Sequence, residues 1–299
     1  MAVLPSLQYD PLTNHYTRFS QANDHKLTFQ SLLGGMGSRR AVETLSRTGG
    51  FGVKVARRRL LETFQHILQV THNLDSAKPG GEGFASSVRV RLLHAAVRRR
   101  ILQLARERPG YYSVEGWGVP VNDLDSVGTV ATFSATLIWL GLPRQGVYLR
   151  KQEVADYVAL WRWMAHVLGA PAEWFESPER ARGIMESLML SELHPSETSR
   201  VLANNILTGM SGQPPTYASR EFLAAEAYWL NGAKLSSELA IERPRLYYSA
   251  LVLGQCIFLA AMSYTYRSIP SWDAARNKVN KTQPLAYPNP PFPLVVCAS

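Results

Sequence analysis

Apolar residues recur at spacings of three and four along most of the chain. That is the period of helices with one face in a core. Between positions 57 and 74, Leu60, Phe64, Ile67 and Leu68 form such a stripe. Gly80, Gly81 and Gly83 interrupt it. Ser86 or Ser87 is placed to cap a second helix running to about 108, where Pro109 and Gly110 stop it. A third begins near Asn122 or Asp123 and reaches Gly141-Leu142-Pro143. A fourth, 151–168, closes at Gly169, a residue suited to the left-handed turn on which helices often end. Further helices are predicted at 177–190, 196–208, 219–231 and 237–266. No stretch alternates apolar and polar residues between hairpin turns, so little or no sheet is expected. The pattern predicts an all-α protein of eight or nine helices in a single large helical domain over 35–270. An N-terminal extension, 1–34, precedes it. A C-terminal tail rich in Pro, Asn and Lys, 271–299, is expected to wrap the surface.

One predicted helix is ambiguous. From 246 to 264 no residue carries a full charge, and Arg243, Arg245 and Arg267 lie just outside. Its length would just span a bilayer. Ser249, Gln255 and Ser263 weaken that reading, and a helix buried on all sides gives the same signature. Burial is the favoured reading, and peripheral membrane association is the alternative.

Composition removes other classes. The chain has 299 residues, 46% apolar and 18% charged, enough for a proper core. Its 21 glycines and 18 prolines are too few for a fibrous or disordered chain. Two cysteines, Cys256 and Cys297, cannot build a disulfide framework or a four-cysteine zinc site. The net charge of +9 permits contact with nucleic acid, anionic lipid or an anionic cofactor and selects none of them. The first thirty residues lack an apolar export core, so no cleaved signal peptide is expected, and no compartment is assigned. The sequence carries no dinucleotide-binding glycine fingerprint, P-loop, H-E-x-x-H zinc motif or serine nucleophile elbow.

The chemistry concentrates in 89–100, RVRLLHAAVRRR. On a helix, His94 shares a face with Val90, Val97 and Ile101, and Arg91 and Arg98 border that face. A histidine in an apolar stripe is more often a core residue with a local hydrogen bond. The same arrangement suits an axial ligand to haem iron, which needs a neutral, dry imidazole, with rim cations available for propionates. Nucleic-acid binding is not expected, because the basic residues do not alternate with exposed aromatics and the helix has an apolar face to bury.

The stretch RVRLLHAAVR resembles the histidine signature of the latex-clearing-protein (rubber oxygenase) and ER-bound oxygenase mpaB superfamily. Three further segments match in order. Arg59-Leu60-Leu61-Glu62-Thr63 resembles its Arg-x-x-x-Thr helix. The stretch from Gly118 to Asp125, with Gly128-Thr129 and Phe133-Ser134, resembles its Pro-x-Asn-x-x-Asp-Leu…Thr…Phe-Ser block. Tyr157, Trp161 and Leu168-Gly169 resemble its Tyr…Trp…Leu-Gly helix. The resemblance implies a globin-like core around one b-type haem with His94 as the iron ligand. It implies that Arg59 and Thr63 shape the haem environment and that Glu43 acts as a base, beside the rim cations Arg91 and Arg98 read from spacing. It implies O2 and an apolar, isoprenoid-like substrate whose C=C bond is oxidised or cleaved. Where studied rubber oxygenases place a lysine before the threonine, this chain has Glu62. His66, one turn on, is read as a packed residue, with a role beside the iron as the alternative. A non-catalytic haem protein, or a metal-free helical membrane-surface or interaction protein, are the competing classes.

Overall fold

The computed structural model describes residues 29–214 and 216–269. Residues 1–28 of the expected N-terminal extension and the surface-wrapping tail lie outside them, whereas residues 29–34 of that extension are helical. The described chain is helical, with no strand among its elements; one isolated bridge pairs Ser38 with Leu193. The order is α1 (29–35), α2 (Arg39–Arg47), α3 (Val53–Thr71), α4 (Leu74–Ala77), α5 (Glu82–Glu107), α6 (Val114–Trp117) and α7 (Asp123–Phe133). Then follow α8 (Lys151–Leu168), α9 (Pro178–Ser191), α10 (Glu197–Met210), α11 (Arg220–Asn231), α12 (Ala233–Glu238) and α13 (Leu246–Ser268).

Local chemistry sets the starts. Ser177, Ser196 and Ser219 cap α9, α10 and α11 by accepting backbone N–H bonds. Asn122 and Asp125 cap α7 reciprocally, each side chain accepting the other's backbone N–H at 3.0 Å.

Two apolar clusters form the core. One gathers Val127, Val130, Val158, Trp161, Met164 and Phe175 around α7 and α8. The other gathers Phe29, Leu33, Val42, Leu202, Ile206 and Leu223 from α1, α2, α10 and α11. Helix α3 belongs to both, giving Ala56 and Leu60 to the second and Ile67 and Val70 to the first. It packs against α5, which returns antiparallel to it. The crossing is close at Gly83, where a Cβ would lie 2.6 Å from the Gln69 carbonyl oxygen. Only a residue without a side chain lets the two backbones meet there.

Several predicted elements change. The helix expected from 122 to 141 stops at Phe133. Ser134 donates its hydroxyl to the Val130 carbonyl and leaves the helical region, and a π-turn, Leu137–Gly141, carries the chain on. The helix expected over 237–266 is two, because Pro244 cannot sit inside one. Helix α2 is not among the predicted elements; its nine residues span only two and a half turns, too short a run for an apolar period to register.

The favoured reading of 246–264 as a helix buried on all sides is overturned. Along 246–265 only 22% is buried, against 50% for the other long apolar stretch, 123–145. Helix α13 turns Val252, Cys256, Leu259 and Ser263 inward and leaves Leu246, Ile257 and Phe258 outward. Hydrophobicity reports what a helix could bury, and one neighbouring layer covers one face.

Candidate functional site

A cleft of about 290 Å³ opens where the two apolar clusters meet. From α3 it is lined by Arg59, Glu62, Thr63, His66 and Ile67, one continuous face at helical spacing. Val90, Leu93 and His94 of α5 stand opposite. Thr129 and Phe133 of α7 and Trp161 and Leu168 of α8 complete the apolar wall. Phe133 and Trp161 stack at 6.2 Å between centroids, and the Tyr157 hydroxyl donates to the Phe133 carbonyl at 2.9 Å. The segments that carried the resemblance, scattered over more than a hundred residues, therefore converge on one cavity.

Both cleft histidines are held neutral. Burial, with the nearby Arg59 and Arg98 cations, pushes His94 down to about 4. Burial, with His94 beside it, does the same to His66. His66 is fixed by a 2.9 Å hydrogen bond between its Nδ1 and Ser86 Oγ. The sequence reading of His66 as a packed, locally bonded residue thus describes its bonding, and its place in the cavity wall adds the rest.

Thr63 donates its hydroxyl to the Arg59 carbonyl at 3.0 Å. Glu62 bonds Arg58 through one oxygen at 2.9 Å and Arg59 through the other at 3.2 Å. Glu43 lies elsewhere. On α2, Ala41 and Leu45 reach the cleft, and position 43 falls on the opposite side of the helix. Its carboxylate pairs with Arg47 at 2.8 Å. Glu62 is the carboxylate that lines the cleft. The departure at position 62 was the available signal for it.

The two rim arginines serve as braces. Arg91 donates to the Val167 carbonyl at 3.3 Å. It fills the space beside Gly169, where the positive φ of 78° closes α8 and a Cβ would meet the guanidinium at 2.9 Å. Arg98 bonds the Pro120 carbonyl at 3.2 Å and the Val121 carbonyl beside it. Neither lines the cleft. The block with Pro120, Asn122 and Asp125 is therefore the turn that α5 grips and the start of α7 that follows it.

The neutral state of His66 has a consequence for stability. Folded, it takes a proton only near pH 4; unfolded, near 6.5. The unfolded chain therefore binds more protons in that window, and stability falls as pH drops from 6.5 to 4, by ~3 kcal/mol for this residue. Urea midpoints at pH 7 and pH 4.5 measure the loss. His66→Gln, which keeps a partner for Ser86 but cannot titrate, is expected to shrink it. An undiminished acid loss in that variant would assign the effect to other groups.

A family model described as ER-bound oxygenase mpaB/B'/Rubber oxygenase, catalytic domain, matches residues 26–255. The chain belongs to this family. The rubber oxygenase of Streptomyces sp. (strain K30) is 21% identical over 177 residues, 57% of this chain. The match spans 41% of that protein, less than half its length. Among solved structures, Latex Clearing Protein LCP in the closed state superposes with a TM-score of 0.67 at 17% identity. That match covers 93% of this chain and 76% of the other. The cleft lies within residues 26–255, the stretch that the family model matches.

Proposed function

We propose that the protein is a haem b-dependent oxidoreductase of the oxygenase type, which uses O2 to oxidise or cleave a C=C bond of an apolar, isoprenoid-like substrate. The observation that carries this reading is the meeting of His94, Arg59 and Thr63 in one cleft with apolar walls.

The residues present fit the cofactor. His94 offers a neutral imidazole nitrogen, the donor iron accepts. Among the described residues no group of three or more His, Cys, Asp and Glu could hold a metal ion, whereas iron in a porphyrin needs a single protein ligand. The indole N–H of Trp161, buried in the cleft wall, has no acceptor among the described residues, and a guest in the cleft can supply one. Haem, when bound, supplies the redox chemistry with O2 that side chains lack.

The chain does the rest. His94 would hold the cofactor from α5. Ile67, Val90, Phe133 and Trp161 exclude water and accept an apolar chain. Arg59 and Thr63 set the polarity of the facing wall. A base for an allylic proton must reach the cleft. Glu62 does so, and Glu43 would first have to leave Arg47 and swing around α2. Each Glu62 oxygen has a lone pair beyond the one its arginine uses, so Glu62 is assigned the proton-accepting role.

The test is spectroscopic first and chemical second. Freshly purified protein is expected to be red, with a Soret band that moves when carbon monoxide meets reduced iron. With polyisoprenoid and O2, oxygen uptake and carbonyl-ended fragments are expected. A red protein that consumes no oxygen over a panel of terpenoids would be a haem carrier. A colourless one that takes up no added haemin would end the reading.

A further inference from the structure

Helix α13 presents a surface that no described residue covers. Leu246, Leu253, Ile257 and Tyr264 lie along one line of the helix, and Tyr247, Leu251 and Phe258 lie beside it. At 3.6 residues per turn these positions span about 160° of the helix. Ile257 and Phe258 are 60% and 61% exposed, and Leu246 is 88% exposed. No Asp, Glu, Lys or Arg occurs from 246 to 266. At 1.5 Å per residue the uncharged face is ~30 Å long. Scattered apolar side chains are ordinary on a protein surface; a continuous stripe of this length marks a contact.

We propose that α13 is a membrane-docking helix, which lays this face flat on an anionic lipid surface. Charge supports the partner. Around the start of α13, Arg220, Arg243 and Arg245 outnumber Glu221 and Glu242, and the whole chain carries +9. Basic residues flanking an apolar helix are drawn to anionic headgroups. Tyr247 stands exposed near the start of the helix, where a ring with one polar edge suits the headgroup layer.

Structure decides between lying and spanning. Arg267 at the end of α13 bonds the buried Glu153 of α8 at 2.6 Å. The Tyr264 hydroxyl donates to the Gly146 carbonyl at 3.2 Å. Val252 and Cys256 pack with Ala225 of α11. A helix so fastened along its inner face cannot leave the bundle to cross a bilayer without breaking these contacts. It can offer its outer face in the plane of the surface. A second copy of the chain is the competing occupant, and the oligomeric state read in the test below tells the two apart.

The proposal stands apart from the chemistry of the cleft. Its test uses the full-length protein and sedimentation with vesicles, either phosphatidylcholine alone or phosphatidylcholine mixed with phosphatidylglycerol. Binding to the mixed vesicles is expected, at least about tenfold tighter than to neutral ones and weakened by added salt. Ile257→Asp and Phe258→Asp are expected to remove it, with unchanged helical circular dichroism and melting. Leu190→Asp, at an exposed leucine of α9, is expected to leave it intact. Failure to bind the mixed vesicles would overturn the proposal. So would light scattering that shows a dimer converted to monomer by Ile257→Asp, since a second copy would then be the occupant.

Discussion

His94→Ala is expected to yield a protein that folds but binds haem at least about a hundredfold more weakly and shows no Soret band after purification. Changing a neighbour of a metal ligand already costs about ten- to a hundredfold, and removing the ligand itself costs more. His94 is partly buried on the face of α5 that borders the cleft, so its loss trims the cavity wall without opening a core cluster. His166→Ala is the matched control. That ring sits on the exposed side of α8, tilted against Trp163. The measurement is a titration with haemin followed by absorbance. Equal affinity in the wild type and His94→Ala would remove the ligand assignment while leaving the fold and family untouched.

The second large effect is on stability. Glu153 has a side chain only 1% exposed, and its Oε2 accepts from the Arg150 backbone N–H at 2.7 Å and from Arg267 at 2.6 Å. Arg267→Ala leaves a buried carboxylate with half its partners. Breaking a buried pair on one side costs about 3–5 kcal/mol, and the remaining backbone bond places this one near the lower end. At this chain length ~3 kcal/mol lowers the melting temperature by roughly 6–12 °C. The double variant Glu153→Gln with Arg267→Met is expected to regain most of the loss, because it removes the orphaned charge. A single variant that melts within a degree of the wild type would show that the pair carries no weight.

The particular residues show what a sequence can carry. The bounds of α8 were legible because Gly169 supplies the left-handed turn and the apolar period holds from Val154 to Val167. The shared face of Val90 and His94 was legible from spacing, and both line the cleft. Which carboxylate reaches the cavity was not. Glu43 and Glu62 differ by how their helices are rotated against α5, a property of packing that no spacing within α2 encodes. Arg91 and Arg98 flank His94 in the sequence of α5, but what a long side chain bonds depends on which carbonyls the fold brings near. They grip Val167 and the Pro120–Val121 turn, residues far away in the chain. The exposure of α13 was hidden for the same reason: apolar composition says nothing of how many neighbours arrive.

The cleft runs along the seam between two separately packed halves, with Met36 and Phe51 of one on its wall and Val130 and Trp161 of the other. Whatever guest settles there replaces missing core and cements the halves together. By mass action its binding energy is added to the resistance of the whole chain against unfolding. The cofactor would then be mortar as well as reagent, and cellular supply of it would govern how much of the protein survives.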